Sequence, residues 1–159
     1  MIKTLPEQFK IVDATAGPVT TNGGVTSDYV SVKNAHRAWI VLQFTQAVGH
    51  ATVIQPKKAT AVDGTGVTNI TTAARNWVNA DTATSDTLVA GTAATSVTLA
   101  ATAKKHHVVI EIDPATLGDT YDVIGFTVSD SSQATNFVSG QFFLEMRYMQ
   151  GTPPAAITD

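Results

Sequence analysis

His36-Arg37-Ala38-Trp39-Ile40-Val41-Leu42-Gln43-Phe44-Thr45-Gln46 decides the fold class of this chain. Trp, Ile, Val, Phe and Thr favour a pleated backbone over a helix. Side chains alternate across a strand, so Trp39, Val41 and Gln43 share one face and Ile40, Leu42 and Phe44 the other. Both faces are mainly apolar, which predicts a central strand covered on both sides. Residues 51–55 are expected as its antiparallel hairpin partner across Ala47-Val48-Gly49-His50, with Pro56 ending that partner.

The C-terminal third carries the same alternation. Over 107–113, Val108, Ile110 and Ile112 face one way, while His107, Glu111 and Asp113 face the other. Ile124, Phe126 and Val128 share a face within 121–129. Over 138–148, Val138, Phe142, Leu144, Met146 and Tyr148 oppose Gln141, Glu145 and Arg147. Residues 73–79 read as a short strand or a single helical turn, and the Thr-rich stretches 88–90 and 96–101 as strands that lie at an edge or face a neighbouring subunit. Roughly seven to nine strands at intervals of about 8–15 residues, with no long helix, predict an all-β fold. The expected architecture is an antiparallel β-sandwich, jelly-roll-like, with an extended N-terminal arm.

The 159 residues suit one domain. Residues 1–28 read as the arm. Leu5-Pro6 opposes an early helix, residues 9–12 allow one short strand, and Gly17-Pro18 and Asn22-Gly23-Gly24 punctuate the rest. Residues 29–150 form the sandwich domain. Residues 151–159, opened by Gly151-Thr152-Pro153-Pro154, form an extended C-terminal tail.

Composition narrows the function classes. Charged residues are 14% of the chain, against about 25% in ordinary domains. A free monomer normally carries more charge, so this surface predicts a protein that works against other protein surfaces. The net charge of −3 argues against nucleic-acid binding. The basic clusters Lys57-Lys58 and Lys104-Lys105-His106-His107 are too short to track phosphates. There is no Cys, hence neither a disulfide framework nor thiolate chemistry. The longest apolar run, residues 38–42, falls far short of the ~20 residues of a membrane helix. Residues 1–10 lack the apolar stretch of a signal peptide, and synthesis in the cytoplasm is expected, with any exit by a route that needs no signal.

The chemical candidates are weak. His36, His50, His106 and His107 are scattered, and the adjacent pair points to opposite faces of a strand, so no metal site is expected. Glu111 and Glu145 lie on outer faces, and Asp113, Asp119, Asp122 and Asp130 lie in or near turns, without the aromatic-lined cleft of a glycosidase. Asp63-Gly64-Thr65-Gly66 lacks the Gly-Lys-Ser/Thr ending of a phosphate loop. Residues 81–86 lack the alternating carboxylates of a calcium loop. No Gly-x-Ser-x-Gly elbow occurs. The reading is non-enzymatic, with no cofactor.

Ala38-Trp39-Ile40-Val41-Leu42, Thr84-Ser85-Asp86-Thr87-Leu88-Val89, Val108-Val109-Ile110-Glu111-Ile112-Asp113 and Phe142-Phe143-Leu144-Glu145-Met146-Arg147-Tyr148 make the chain similar to capsid decoration (cement) proteins of tailed bacteriophages and related small virion proteins. The resemblance implies a protein on the outer surface of a phage capsid. It would bind the major capsid protein and copies of itself, as dimer or trimer, and clamp neighbouring capsomers. It implies no catalytic residues. Binding that selects the mature shell stabilises that shell, and several weak contacts gain from high effective concentration. Ile2, Leu5, Phe9 and Ile11 of the arm could add a strand to a neighbour; Pro153 and Pro154 mark a second contact candidate. An alternative is a receptor- or carbohydrate-binding head-fibre or tail module, which needs an exposed aromatic platform. Trp39 and Trp77 are the only Trp residues, and Trp39 reads as core. A tail-tube or head–tail completion protein is a further alternative.

Overall fold

Alternating strands close into two antiparallel sheets in a computed structural model that describes residues 4–148. A one-turn helix α1 (Leu5–Gln8) leads into β1 (Phe9–Asp13), β2 (Val19–Thr20), β3 (Val25–Thr26) and β4 (Val30–Ser31). Then come β5 (Ala35–Thr45), β6 (Thr52–Ala59), β7 (Thr68–Asn69), β8 (Arg75–Asn79), β9 (Val89–Ala90) and β10 (Val97–Leu99). The chain ends in β11 (Lys105–Ile112), a 3-10 turn (Pro114–Thr116), β12 (Val123–Val128) and β13 (Phe137–Met146).

The first sheet has the order β1-β13-β5-β11-β8-β9, with β2 also on β13; the second has β10-β6-β12-β3, with β4 on β12 and β7 on β6. The two-strand addition β8–β9 extends the β11 edge. The remaining orders, β1-β13-β5-β11 and β3-β12-β6-β10, are those of a jelly roll. The all-β, jelly-roll-like sandwich expected from the alternation is what the strand order shows.

The core lies between the sheets. Ile40, Leu42, Val108, Ile110, Phe142 and Leu144 of the first meet Ile54, Phe126 and Val128 of the second, all buried. The Phe126 and Phe142 rings approach to 6.1 Å between centroids, tying one sheet to the other.

Several expectations are corrected. Residues 36–46 and 51–55 are not a hairpin: β5 pairs with β13 and β11, whereas β6 belongs to the opposite sheet. Buried side chains hold the connection in its crossing path. Asn136 donates to the Val48 carbonyl at 2.8 Å and accepts the Val48 N–H at 2.9 Å. Gln46 donates to Thr52 Oγ1 at 2.9 Å and to the His50 carbonyl at 3.1 Å. Nor does Pro56 end the strand, since β6 runs on to Ala59. The Pro56 carbonyl accepts the Ile70 N–H. Its nitrogen points to that same side, at the gap between β10 on Thr52–Ile54 and β7 on Lys57–Lys58, so no ladder donor is lost.

The N-terminal arm is also revised. From Phe9 on it is built into the sandwich: β1 pairs with Phe142, Leu144 and their neighbours on β13, and β3 and β4 pair with β12. Leu5-Pro6 does not block a helix; it opens α1, because a proline in the first turn lacks only an N–H that has no helical partner. Glu7 accepts the Thr4 N–H at 2.8 Å and closes that turn. Residues 73–79 resolve as strand β8. The strand β5 is covered on one side only, leaving Trp39 and Val41 half-buried on the solvent side of the sheet and not in the core. The C-terminal tail, 151–159, lies outside the described residues.

Candidate functional site

Strand register assembles an aromatic belt on the outer face of the first sheet. One row runs Ile11, Phe143, Trp39, Glu111, Arg75 across β1, β13, β5, β11 and β8. The next runs Gln141, Val41, Val109, Trp77. Within them Phe143, Trp39, Val41, Val109 and Trp77 are half-buried and Ile11 is exposed. Apolar side chains on the solvent side of a sheet are ordinary singly; a continuous band is not.

Glu111 organises the belt. One carboxylate oxygen accepts from both Arg37 and Arg75, and the other accepts the Trp39 indole N–H at 3.3 Å. The Glu111 side chain is only 10% exposed, against 47% for Arg37 and 59% for Arg75. Burial alone would push the Glu111 carboxyl up, but the Arg75 and Arg37 guanidiniums outweigh it and hold the group below its ordinary value. Glu111 therefore stands as an ionised anchor between two arginines. The Trp39 ring leans on Phe9 with centroids 5.9 Å apart, and the Arg75 guanidinium lies 5.8 Å from the Trp77 ring centroid. Phe9, Trp39, Glu111, Arg75 and Trp77, drawn from β1, β5, β11 and β8, thus form one connected run across the sheet.

At the end of this face opens a pocket of about 240 Å³ whose lining includes Arg37, Thr72, Arg75, Glu111, Asp113 and Thr116. Asp113 caps the following 3-10 turn by accepting the Ala115 N–H at 3.0 Å.

The contact candidates divide. Leu5 and Ile11 are exposed at 55% and 41%, and Phe9 is half-buried against Trp39. Ile2, Pro153 and Pro154 lie outside the described residues. Among the described residues β1 pairs only with β13, so alternate backbone groups along its other edge meet no strand. His106 faces inward and is buried while His107 faces outward, as their adjacency requires, and His36 lies exposed near the start of β5. No group of three or more His, Cys, Asp or Glu among the described residues is placed to hold a metal. Glu145 is half-buried on β13, opposite Arg37.

The belt escaped the sequence reading, yet a signal was there. Arg37-Ala38-Trp39 and Arg75-Asn76-Trp77 repeat an Arg-x-Trp spacing. Residues two apart on a strand share a face, so each Arg sits beside its Trp. That both triplets converge on Glu111 needs the sheet order.

The geometry defines a jelly-roll β-sandwich with an ordered aromatic face. No family model matches the chain, and no curated protein matches it. Among solved structures, the SPBc2 prophage-derived protein YomS is similar over 86% of this chain and 91% of that one, at 10% identity and a TM-score of 0.47. A structure described as "CBM4 structure and function" aligns over 91% and 88%, at 9% identity and a TM-score of 0.36. Likenesses at this level assign no function, and the fold class stands on the strand order.

Proposed function

We propose that this chain is a non-enzymatic structural protein of a phage virion, bound to the outer surface of the capsid and stabilising contacts between capsomers. Its partners in this reading are the major capsid protein and copies of itself, with neither nucleic acid nor membrane. The observation that carries the reading is the edge strand β1, unpaired on its outer side among the described residues and bearing exposed Ile11, with exposed Leu5 just before it. An exposed edge with apolar side chains is a template for strand addition from another chain. The low charge of the chain supports the same use, since the centres of protein interfaces are depleted in charge.

The test mixes the purified protein with expanded, undecorated phage heads, pellets the heads and counts bound copies. Saturable binding at a fixed ratio to capsid protein, with raised heat resistance of the heads, is expected. A Leu5→Glu/Ile11→Glu variant that remains folded should bind at least tenfold more weakly. Absence of binding by the unmodified protein, or full binding by the variant, would overturn this reading or its β1 edge respectively.

A further inference from the structure

We propose that the outer face of the first sheet is a binding site for an uncharged polysaccharide chain, with Trp39 and Trp77 as stacking platforms and the Arg37–Glu111–Arg75 group as the polar contact beside them. The site differs from the one in the capsid reading: it uses the sheet face around Trp39 and Trp77, whereas strand addition uses the backbone edge of β1, and the two meet at Phe9 and Ile11.

Three observations carry it. First, the two indoles are held apart on a common face. Trp39 and Trp77 lie two strands and two residues apart in register, which places their Cα atoms roughly 12 Å from each other on a pleated sheet. That separation lets them stack on different rings of one extended chain. Second, Trp39 is oriented: Phe9 supports its ring and Glu111 takes its N–H. Half-buried and so fixed, the indole keeps part of its ring open to solvent in a set direction, as a stacking platform must. Third, the groups around the pocket match hydroxyls. Arg37 and Arg75 each spend one donor nitrogen on Glu111, and a guanidinium carries five N–H donors in a planar fork. Arg37 and Arg75 line the pocket with Thr72, Thr116 and Glu111, and Glu111 also holds the Trp39 N–H; the Thr116 hydroxyl already donates to the Asp113 carbonyl and offers a ligand its oxygen.

The charge balance selects the ligand class. Two arginines and the carboxylates of Glu111 and Asp113 line the pocket, and their formal charges cancel. A net-neutral lining with planar bidentate groups suits sugar hydroxyls and offers an acidic chain no electrostatic gain. The pocket of about 240 Å³ is smaller than the roughly 300–1,000 Å³ that hold drug-sized molecules, and fits one ring of a chain whose other rings continue over the sheet.

The full-length protein would be titrated with cellohexaose, maltohexaose and an oligogalacturonate, following tryptophan fluorescence and heat. The expected result is saturable binding of at least one neutral hexasaccharide with a Kd of about 1 mM or tighter. Trp77→Ala and Arg37→Ala should each weaken it at least tenfold. Arg75→Gln, at an exposed position, keeps an N–H donor for Glu111 and should weaken binding several-fold, with its thermal midpoint measured alongside. Trp39→Phe keeps a ring but removes the N–H and should retain part of the affinity. Binding of the acidic oligosaccharide alone, no saturable response to either neutral chain, or unchanged affinity in folded Trp77→Ala and Arg75→Gln would overturn the proposal. Head pelleting by Trp77→Ala at an unchanged copy number would keep the two sites separate.

Discussion

His106 stands opposite Phe44 on the inward side of β11, 2% exposed, and neither ring nitrogen has a hydrogen-bond partner among the described residues. Burial pushes its pKa below the ordinary value of 6.5; the Thr102 backbone and, less, nearby Asp81 oppose the shift, and Lys104 adds to it. The folded state therefore binds its proton less readily than the unfolded chain. Stability is complete above the unfolded value and falls as pH drops below it toward the folded one. The urea midpoint should be lower at about pH 5.5 than at about pH 7.5, and His106→Leu should remove most of that difference. Persistence of the full difference in His106→Leu would clear this residue of the effect. Glu111 also loses stabilisation in acid, because its folded pKa is depressed, but only below its ordinary 4.5, so the two windows separate. The sequence made the opposed orientation of His106 and His107 legible. It could not reveal the missing partners, because those depend on what the fold brings around the ring, where Thr102, Asp81 and Lys104 are the groups that act on it.

Among the elements, β13 is the hinge of the assembly, pairing with β1, β2 and β5 while its inward side meets the second sheet. Gly140 lies where that contact is closest. A Cβ there would sit 2.7 Å from Leu42 Cδ2 and 3.0 Å from Phe126 Cζ. Gly140→Ala should destabilise the protein by about 1–3 kcal/mol through overpacking, read as a lower thermal midpoint. Combined with Leu42→Ala, the loss should be less than the sum of the two single losses; strict additivity would place the strain elsewhere. Strands β11, β12 and β13 were legible because each carries an apolar period of two over six or more residues, and β5 because its Trp, Ile, Val, Phe and Thr favour a strand. Their partners were not. The hairpin expected between β5 and β6 fails because Asn136, 88 positions away from Val48, pins the turn. No local pattern around residues 47–50 encodes that contact. The outer face of β5 misled for a related reason: Trp39 and Val41 look like core residues by hydrophobicity, and only the register with Phe143, Val109 and Glu111 shows that neighbours half-cover them.

For the molecule as a whole, the jelly roll makes the first strand and the last strand neighbours, so its ends are closed by pairing between β1 and β13. Val12 packs against the core from β1, and Phe9 supports Trp39 on the outside. An appended arm and a structural first strand therefore predict opposite results on truncation. Removing residues 1–8 takes away only α1 and what precedes it, and α1 contains no buried residue; the thermal midpoint should shift by no more than a few degrees. Removing residues 1–13 strips the whole of β1, opens the β13 edge along Gln141–Glu145 and uncovers core side chains. That variant should melt far below the full chain or fail to fold, and its exposed edge should promote association. Circular dichroism melts of the two truncations, with light scattering, decide between these pictures. Equal midpoints for both would return residues 9–13 to the status of an arm. A collapse confined to the longer truncation would mean that capsid binding has to be probed by side-chain changes on an intact β1, because loss of binding after deleting the strand would report only the loss of the fold.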